Sequence, residues 1–139
     1  MVTKCDGSVE ERMNYWLFGE EIIATTLAGN LNLVSGYRGT SHVKQKFTGK
    51  ERDAETGLDY FGARYMSAAQ GRFTSPDKPF ADQHLEDPQS WNLYAYGRNN
   101  PLFFVDPSGQ YVCGSSVSEQ QCKDFESSRQ SAQSSANAL

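Results

Sequence analysis

Long apolar runs are missing from this chain of 139 residues. No stretch approaches the roughly 18 apolar residues of a membrane-spanning helix, and the opening "MVTKCDGSVEERMNYW" lacks the apolar centre of a signal peptide. A membrane span is thereby excluded, and any export is expected to be directed from outside this stretch. Basic excess is missing too. Lys and Arg number 13 against 17 Asp and Glu, a net charge of -4. A pI near 5.1 leaves no positive field for gripping phosphates, which argues against nucleic acid as a partner. Metal ligands are scarce: His42 and His84 are the two histidines, and Cys5, Cys113 and Cys122 form no CxxC pair. Neither a metal nor another cofactor is expected. Cys113 and Cys122 would close a small disulfide loop in an oxidising compartment and remain thiols in a reducing one. Hydrophobic residues make up only 37%, so the core should be modest, with an ordered middle between polar ends and a larger protein as its context.

What the chain does have is turn chemistry. "DGSVEERMNYWLFGEEI" runs from a turn signal through an aromatic, charged stretch to Gly19, the pattern of a hairpin-like unit. The following residues, to about Asp53, read as short strands and turns. In "DAETGLDYFGARYMSAAQGRFTSPD" one device occurs twice: small or polar residues, a glycine, then an alternating run with aromatics. Gly57 and Gly71 sit where a type I hairpin loop needs positive φ. Strands are expected at Leu58–Met66 and Arg72–Thr74. On the first, Asp59, Phe61, Ala63 and Tyr65 would share one face and Leu58, Tyr60, Gly62 and Arg64 the other. Asn99–Pro101 and Asp106–Gly109 mark further turns. After Gln110 the chain becomes rich in serine and glutamine with helical spacing. Ser118 and Gln121 form a capping box, and Val117 and Cys122 a hydrophobic staple. A helix is predicted from Glu119 to about Ala132, presenting Cys122, Phe125 and Arg129.

The run TGxxYxxARY, the turn GRFxSPD, the turn NxYxYxxNNP and the terminal DPSG, in that order between Phe47 and Gly109, closely resemble the RHS repeat-associated core of Rhs/YD-repeat proteins. Residues 1–46 resemble a degenerate YD-repeat-like β segment and residues 47–110 the core segment. Residues 111–139 would be a variable tail, the start of a truncated effector region. The resemblance implies a mainly β fold: hairpins of a YD/Rhs-type β shell and its C-terminal plug, with a short α-helical tail. It implies secretion or cell-surface display as part of a larger bacterial protein. The partners would be the rest of the shell and a C-terminal effector, in many members a toxin, held in cis. In many members an internal aspartyl protease cuts once, just after DPxG, so the chain would be an enzyme only in a single-turnover sense.

Two carboxylates a few ångströms apart share a proton, so that one activates water while the other protonates the scissile carbonyl. Asp77 matches the family's SxD position and Asp106 its DPxG position. Arg64 and Arg72 match ARY and GRF, and either would steady the ionised carboxylate or an oxyanion, with Arg64 preferred. The cut would fall between Gln110 and Tyr111. Gln110 stands where the family has leucine, a departure that predicts less efficient cleavage. Set against this, both aspartates also suit plain turn capping through their own backbone, which would make the module structural: a non-catalytic surface-interaction module or a remnant of a longer gene. The aromatics Tyr60, Phe61, Tyr65, Phe73, Trp91, Tyr94, Tyr96, Phe103 and Phe104 read as cross-strand packing pairs in preference to a sugar platform.

Overall fold

The computed structural model describes residues 2–3, 5–7, 9–11, 13–22, 43–79, 83–114 and 116–137. His42 and the strands expected between 23 and 42 lie outside the described residues. Among the described residues the architecture is mainly β, built from very short strands and 3-10 turns, followed by one α-helix. β1 (Val2–Thr3) pairs antiparallel with β2 (Val9–Glu11) around Gly7 at φ 81. A second reversal follows at Trp16–Glu20, where the Trp16 amide donates to the Glu20 carbonyl at 2.8 Å. The hairpin-like reading of this segment therefore holds.

The centre is a four-stranded antiparallel meander of β3 (Glu51–Arg52), β4 (Asp59–Tyr60), β5 (Tyr65–Ser67) and β6 (Arg72–Phe73), in chain order. Gly57 at φ 71 and Gly71 at φ 65 make the expected turns. Leu58–Met66, however, is a hairpin and not one strand. The Phe61 amide bonds the Arg64 carbonyl at 2.9 Å and the Ala63 amide bonds the Ser108 carbonyl at 3.0 Å, with Gly62 at φ 98. The turn resets the side-chain alternation, so Asp59, Phe61, Arg64 and Met66 are all buried.

Phe61, Met66, Phe73 and Tyr96 form the core, with Phe18 and Phe47 packed against it. The rings of Phe61, Phe73 and Tyr96 meet edge to face at 5.4 to 6.0 Å, the arrangement that ring quadrupoles favour. Tyr60 faces Tyr65 across β4 and β5 with centroids 4.9 Å apart. Trp91, Tyr94 and Phe103 remain exposed. Within the meander, Arg52 of β3 grips the fully buried Asp59 of β4 through Nε at 2.8 Å and Nη2 at 2.7 Å, and Nη2 also donates to the Gly19 carbonyl at 2.8 Å. This clamp ties the Trp16–Glu20 turn to the sheet.

Beyond the meander, β7 (Phe104–Val105) pairs with β8 (Cys113–Gly114). The strand pairing thus spans residue 110. The helix α1 (Glu119–Asn137) begins on the expected capping box. The Gln121 amide donates to Ser118 Oγ at 3.2 Å, and the Ser118 amide to Gln121 Oε1 at 3.1 Å. It runs past Ala132, and among its described side chains Cys122 and Glu126 are buried, whereas Phe125 is 74% exposed. Positions four apart share a helix face, and docking selects that of Cys122. Cys113 and Cys122 are paired, with Cα atoms 6.2 Å apart, and Cys5 is free. No described helix is long and apolar enough to cross a membrane.

Candidate active site

Arg64 closes the β4–β5 turn, and its side chain lies over the Phe73 ring, 3.8 Å from the guanidinium carbon to the centroid. That platform fixes the guanidinium plane. Around it the donors are all engaged: Nε with the Gly109 carbonyl, Nη1 with the Leu93 carbonyl at 2.8 Å, and Nη2 with two carboxylates. Asp77 Oδ2 lies 2.9 Å from Nη2 and Asp106 Oδ2 lies 3.4 Å from the same atom. The chain therefore brings together three of the residues expected from sequence, 13 and 42 positions apart from Arg64, on one nitrogen.

Each carboxylate is held by its own turn. Pro76 presets the backbone before Asp77, whose amide bonds the Leu93 carbonyl at 2.9 Å and whose Oδ1 accepts from the Lys78 amide at 2.7 Å. Asp106 follows β7 directly. Its Oδ1 accepts from the amides of Ser108 at 3.1 Å, Gly109 at 2.6 Å and Gln110 at 3.2 Å. Gly109 makes that wrap possible at φ 75, and a Cβ there would meet the Arg64 amide nitrogen and Phe61 Cβ at 3.2 Å. The stretch leading to the expected cut is thus bound at every residue from Ser108 to Gln110.

The electrostatics separate the two acids. Burial pushes the Asp106 carboxyl up to about 6, opposed by the Ser108 and Gly109 amides and by Arg64, with the Asp77 charge adding a further upward push. Asp106 is 2% exposed, while the Asp77 side chain is 15% exposed. Burial also lowers Arg64 from its ordinary value, against the pull of Asp77 and Asp106; an arginine so placed stays cationic. The pair is one buried acid that keeps its proton up to about pH 6 and one wetter carboxylate beside a fixed cation.

Other expected residues fall differently. Gln110 lines an open cleft of about 600 Å³ with Lys50, Tyr60, Phe61 and Lys123, and Tyr111 is buried. Arg72 stands apart: it is exposed, bridges Ala95 and borders a separate cleft with Trp16 and Leu17. Lys50, whose Nζ donates to the Pro107 carbonyl at 2.5 Å, braces the DPSG turn without any signal in its local sequence. Among the described residues, no group of three or more His, Cys, Asp or Glu gathers to hold a metal ion.

No protein-family model matches the chain. The tRNA nuclease WapA of Bacillus subtilis strain 168 is 43% identical over 70 residues, which are 50% of this chain and 3% of that protein. The toxin subunit YenC2 of Yersinia entomophaga is also 43% identical over 70 residues, 6% of its length. Among solved structures, the Photorhabdus luminescens Tc holotoxin pore, with TccC3 in mutated form, superposes with a TM-score of 0.57 at 25% identity. It covers 82% of this chain and 5% of that one. The TcdB2-TccC3 complex gives 0.54 at 31% identity, over 75% and 4%. In sequence over one half of the chain and in fold over most of it, the likeness is to small parts of Rhs-associated toxin proteins.

Proposed function

We propose that residues 47–110 plug the C-terminal end of an Rhs-type shell, hold a C-terminal effector in cis and free it by a single aspartyl cut after Gln110. The observation that carries this reading is the meeting of Asp77 and Asp106 on one nitrogen of Arg64, beside a backbone that Asp106 itself grips. Asp77, ionised against Arg64, takes a proton from water as the water oxygen bonds to the Gln110 carbonyl carbon. Asp106, which burial keeps protonated up to about pH 6, donates to the carbonyl oxygen. Collapse of the tetrahedral carbon breaks the bond to the Tyr111 nitrogen, which takes the proton held by Asp77 and leaves as an amine, while a hydroxyl on the carbon returns a proton to Asp106 and a carboxyl remains on Gln110. The shell and effector are the partners, and the whole would act outside the cell or at its surface.

A structural reading is favoured by a different observation: three amides on Asp106 Oδ1 are what a turn-forming aspartate gathers. In that reading the module only shapes the end of a shell. Intact mass under denaturing conditions, for the parent beside Asp77→Asn, separates the two. A break between Gln110 and Tyr111 in the parent and not in the variant supports the protease. The mass also resolves a break one bond earlier, at the Gly109 carbonyl that Arg64 touches. An unbroken chain that unfolds cooperatively supports the structural reading. A break at Asp106–Pro107 growing in acid in both proteins is chemical lability.

A further inference from the structure

The turn that leads to the expected cut is held from two sides. Within it, Asp106 Oδ1 takes the amides of residues 108–110. From outside, successive carbonyls accept from three donors: Pro107 from Lys50 Nζ at 2.5 Å, Ser108 from the Ala63 amide at 3.0 Å and Gly109 from Arg64 Nε. The next carbonyl is that of Gln110, and among the described residues no hydrogen-bond donor engages it. The run is fixed up to the reacting carbonyl and stops there. Two of the three donors belong to the β4–β5 turn, whereas Lys50 comes from the approach to β3. Its amide donates to the Phe47 carbonyl at 3.0 Å and its carbonyl accepts from the Lys46 amide at 2.7 Å, across a turn with Thr48 at φ 50 and Gly49 at φ 75. A β-branched residue at positive φ is strained, so the surroundings must hold this turn. The Lys50 ammonium lies 5.6 Å from the Phe61 ring centroid, and the residue borders the same open cleft as Gln110.

We infer that Lys50 is a positioning residue of the proposed cut: by holding the Pro107 carbonyl it sets where the DPSG turn delivers the Gln110 carbonyl. This rests on the protease reading. Lys50 meets none of the reacting atoms and exchanges no proton in this role; it acts through Pro107. A loosened turn spreads the Gln110 carbonyl over more positions relative to the two aspartates, and a misplacement of about 1 Å is enough to slow a reaction about 100-fold.

The full chain is made by cell-free translation, quenched in denaturant at timed intervals and weighed intact across a range of pH, beside Lys50→Met and Lys50→Arg. Lys50→Met keeps an apolar stem against Phe61 and loses the donor. It is expected to lower the first-order cleavage constant about 100-fold without moving the pH midpoint set by the aspartates. Lys50→Arg keeps a cationic donor and is expected to cut within about tenfold of the parent. In an Asp77→Asn background, which under the proposed mechanism stays whole, hydrogen exchange at the amides of residues 108–110 should quicken about tenfold in Lys50→Met and stay unchanged around Gly57. Lys50→Met cutting at the parent's rate or with a displaced pH midpoint, or Lys50→Arg as slow as Lys50→Met, overturns this inference alone. So does exchange that is unchanged at 108–110, or that quickens equally around Gly57 through general loosening. A parent that stays uncut overturns the protease reading and this one with it.

Discussion

Replacing Asp106 by asparagine should remove a specific piece of the pH dependence of stability. The carboxyl, ordinarily near 3.8, is pushed up to about 6 by burial. The folded state therefore holds this proton more tightly than the unfolded chain does. Stability from the group is complete below the unfolded value and is lost as pH rises through the folded one. A shift of about two units, at about 1.4 kcal/mol each, makes the loss on the order of 3 kcal/mol between about pH 4 and pH 7.5. With a urea slope of about 1–3 kcal/mol/M, the midpoint should fall by about 1–3 M over that range. The comparison is made in an Asp77→Asn background, which under the proposed mechanism keeps the chain whole and removes only the smaller upward push on Asp106. Asparagine still offers an oxygen to the amides of residues 108–110 but carries no titrating charge. Its profile should lack the fall, and the difference between the two curves isolates Asp106 from every other carboxylate. Parallel curves would refute the claim that Asp106 is a desolvated acid, and with it the division of labour between the two aspartates.

Arg52→Met should cost about 3–5 kcal/mol by stranding the buried Asp59 charge, read as a lower urea midpoint; a loss under about 1 kcal/mol would contradict the clamp. Gly109→Ala and Gly57→Ala both place a side chain at positive φ, 75 and 71, for about 1–2 kcal/mol of strain each. Gly57 has open space for a Cβ while Gly109 has Arg64 and Phe61 at 3.2 Å, so Gly109→Ala should be the more destabilising and should also slow cleavage. Gln110→Leu should raise the cleavage constant by up to about tenfold through contact with Tyr60 and Phe61 in its cleft, and a slower cut would show that the cleft favours the amide.

Local devices were readable from sequence because their physics is local. Gly57 and Gly71 are glycines at left-handed turns, and Ser118 and Gln121 cap α1 within four residues. The misread element failed for the opposite reason. Leu58–Met66 alternates well enough for one strand, and what folds it back is a turn sealed from a distance by the Ser108 carbonyl. The helix face was likewise decided by what α1 docks against, which spacing alone does not reveal. At the site, the resemblance singled out Arg64, Asp77 and Asp106; spacing had no means of bringing residues 64 and 106 together. It also put forward Arg72, which packs elsewhere. Lys50 and the Arg52–Asp59 clamp stayed hidden because each acquires its meaning only from partners brought to it by the fold.

The ladder between β7 and β8 pairs Phe104 with Gly114 and Val105 with Cys113, so the bond between Gln110 and Tyr111 lies in the loop that joins paired strands. Hydrolysis there would nick a closed loop and leave no free end drifting away. Two fragments would remain in one particle, joined by one strand pair of two residue pairs and by the burial of Tyr111, Cys122 and Glu126. Severing the chain and parting from it become separate events, the first irreversible and the second a binding equilibrium that a ladder of two residues holds only weakly. Above the dissociation constant of the two fragments a native sizing column would report one species where a denaturing gel reports two, and the moment of delivery would belong to dilution or to whatever pulls the second strand away.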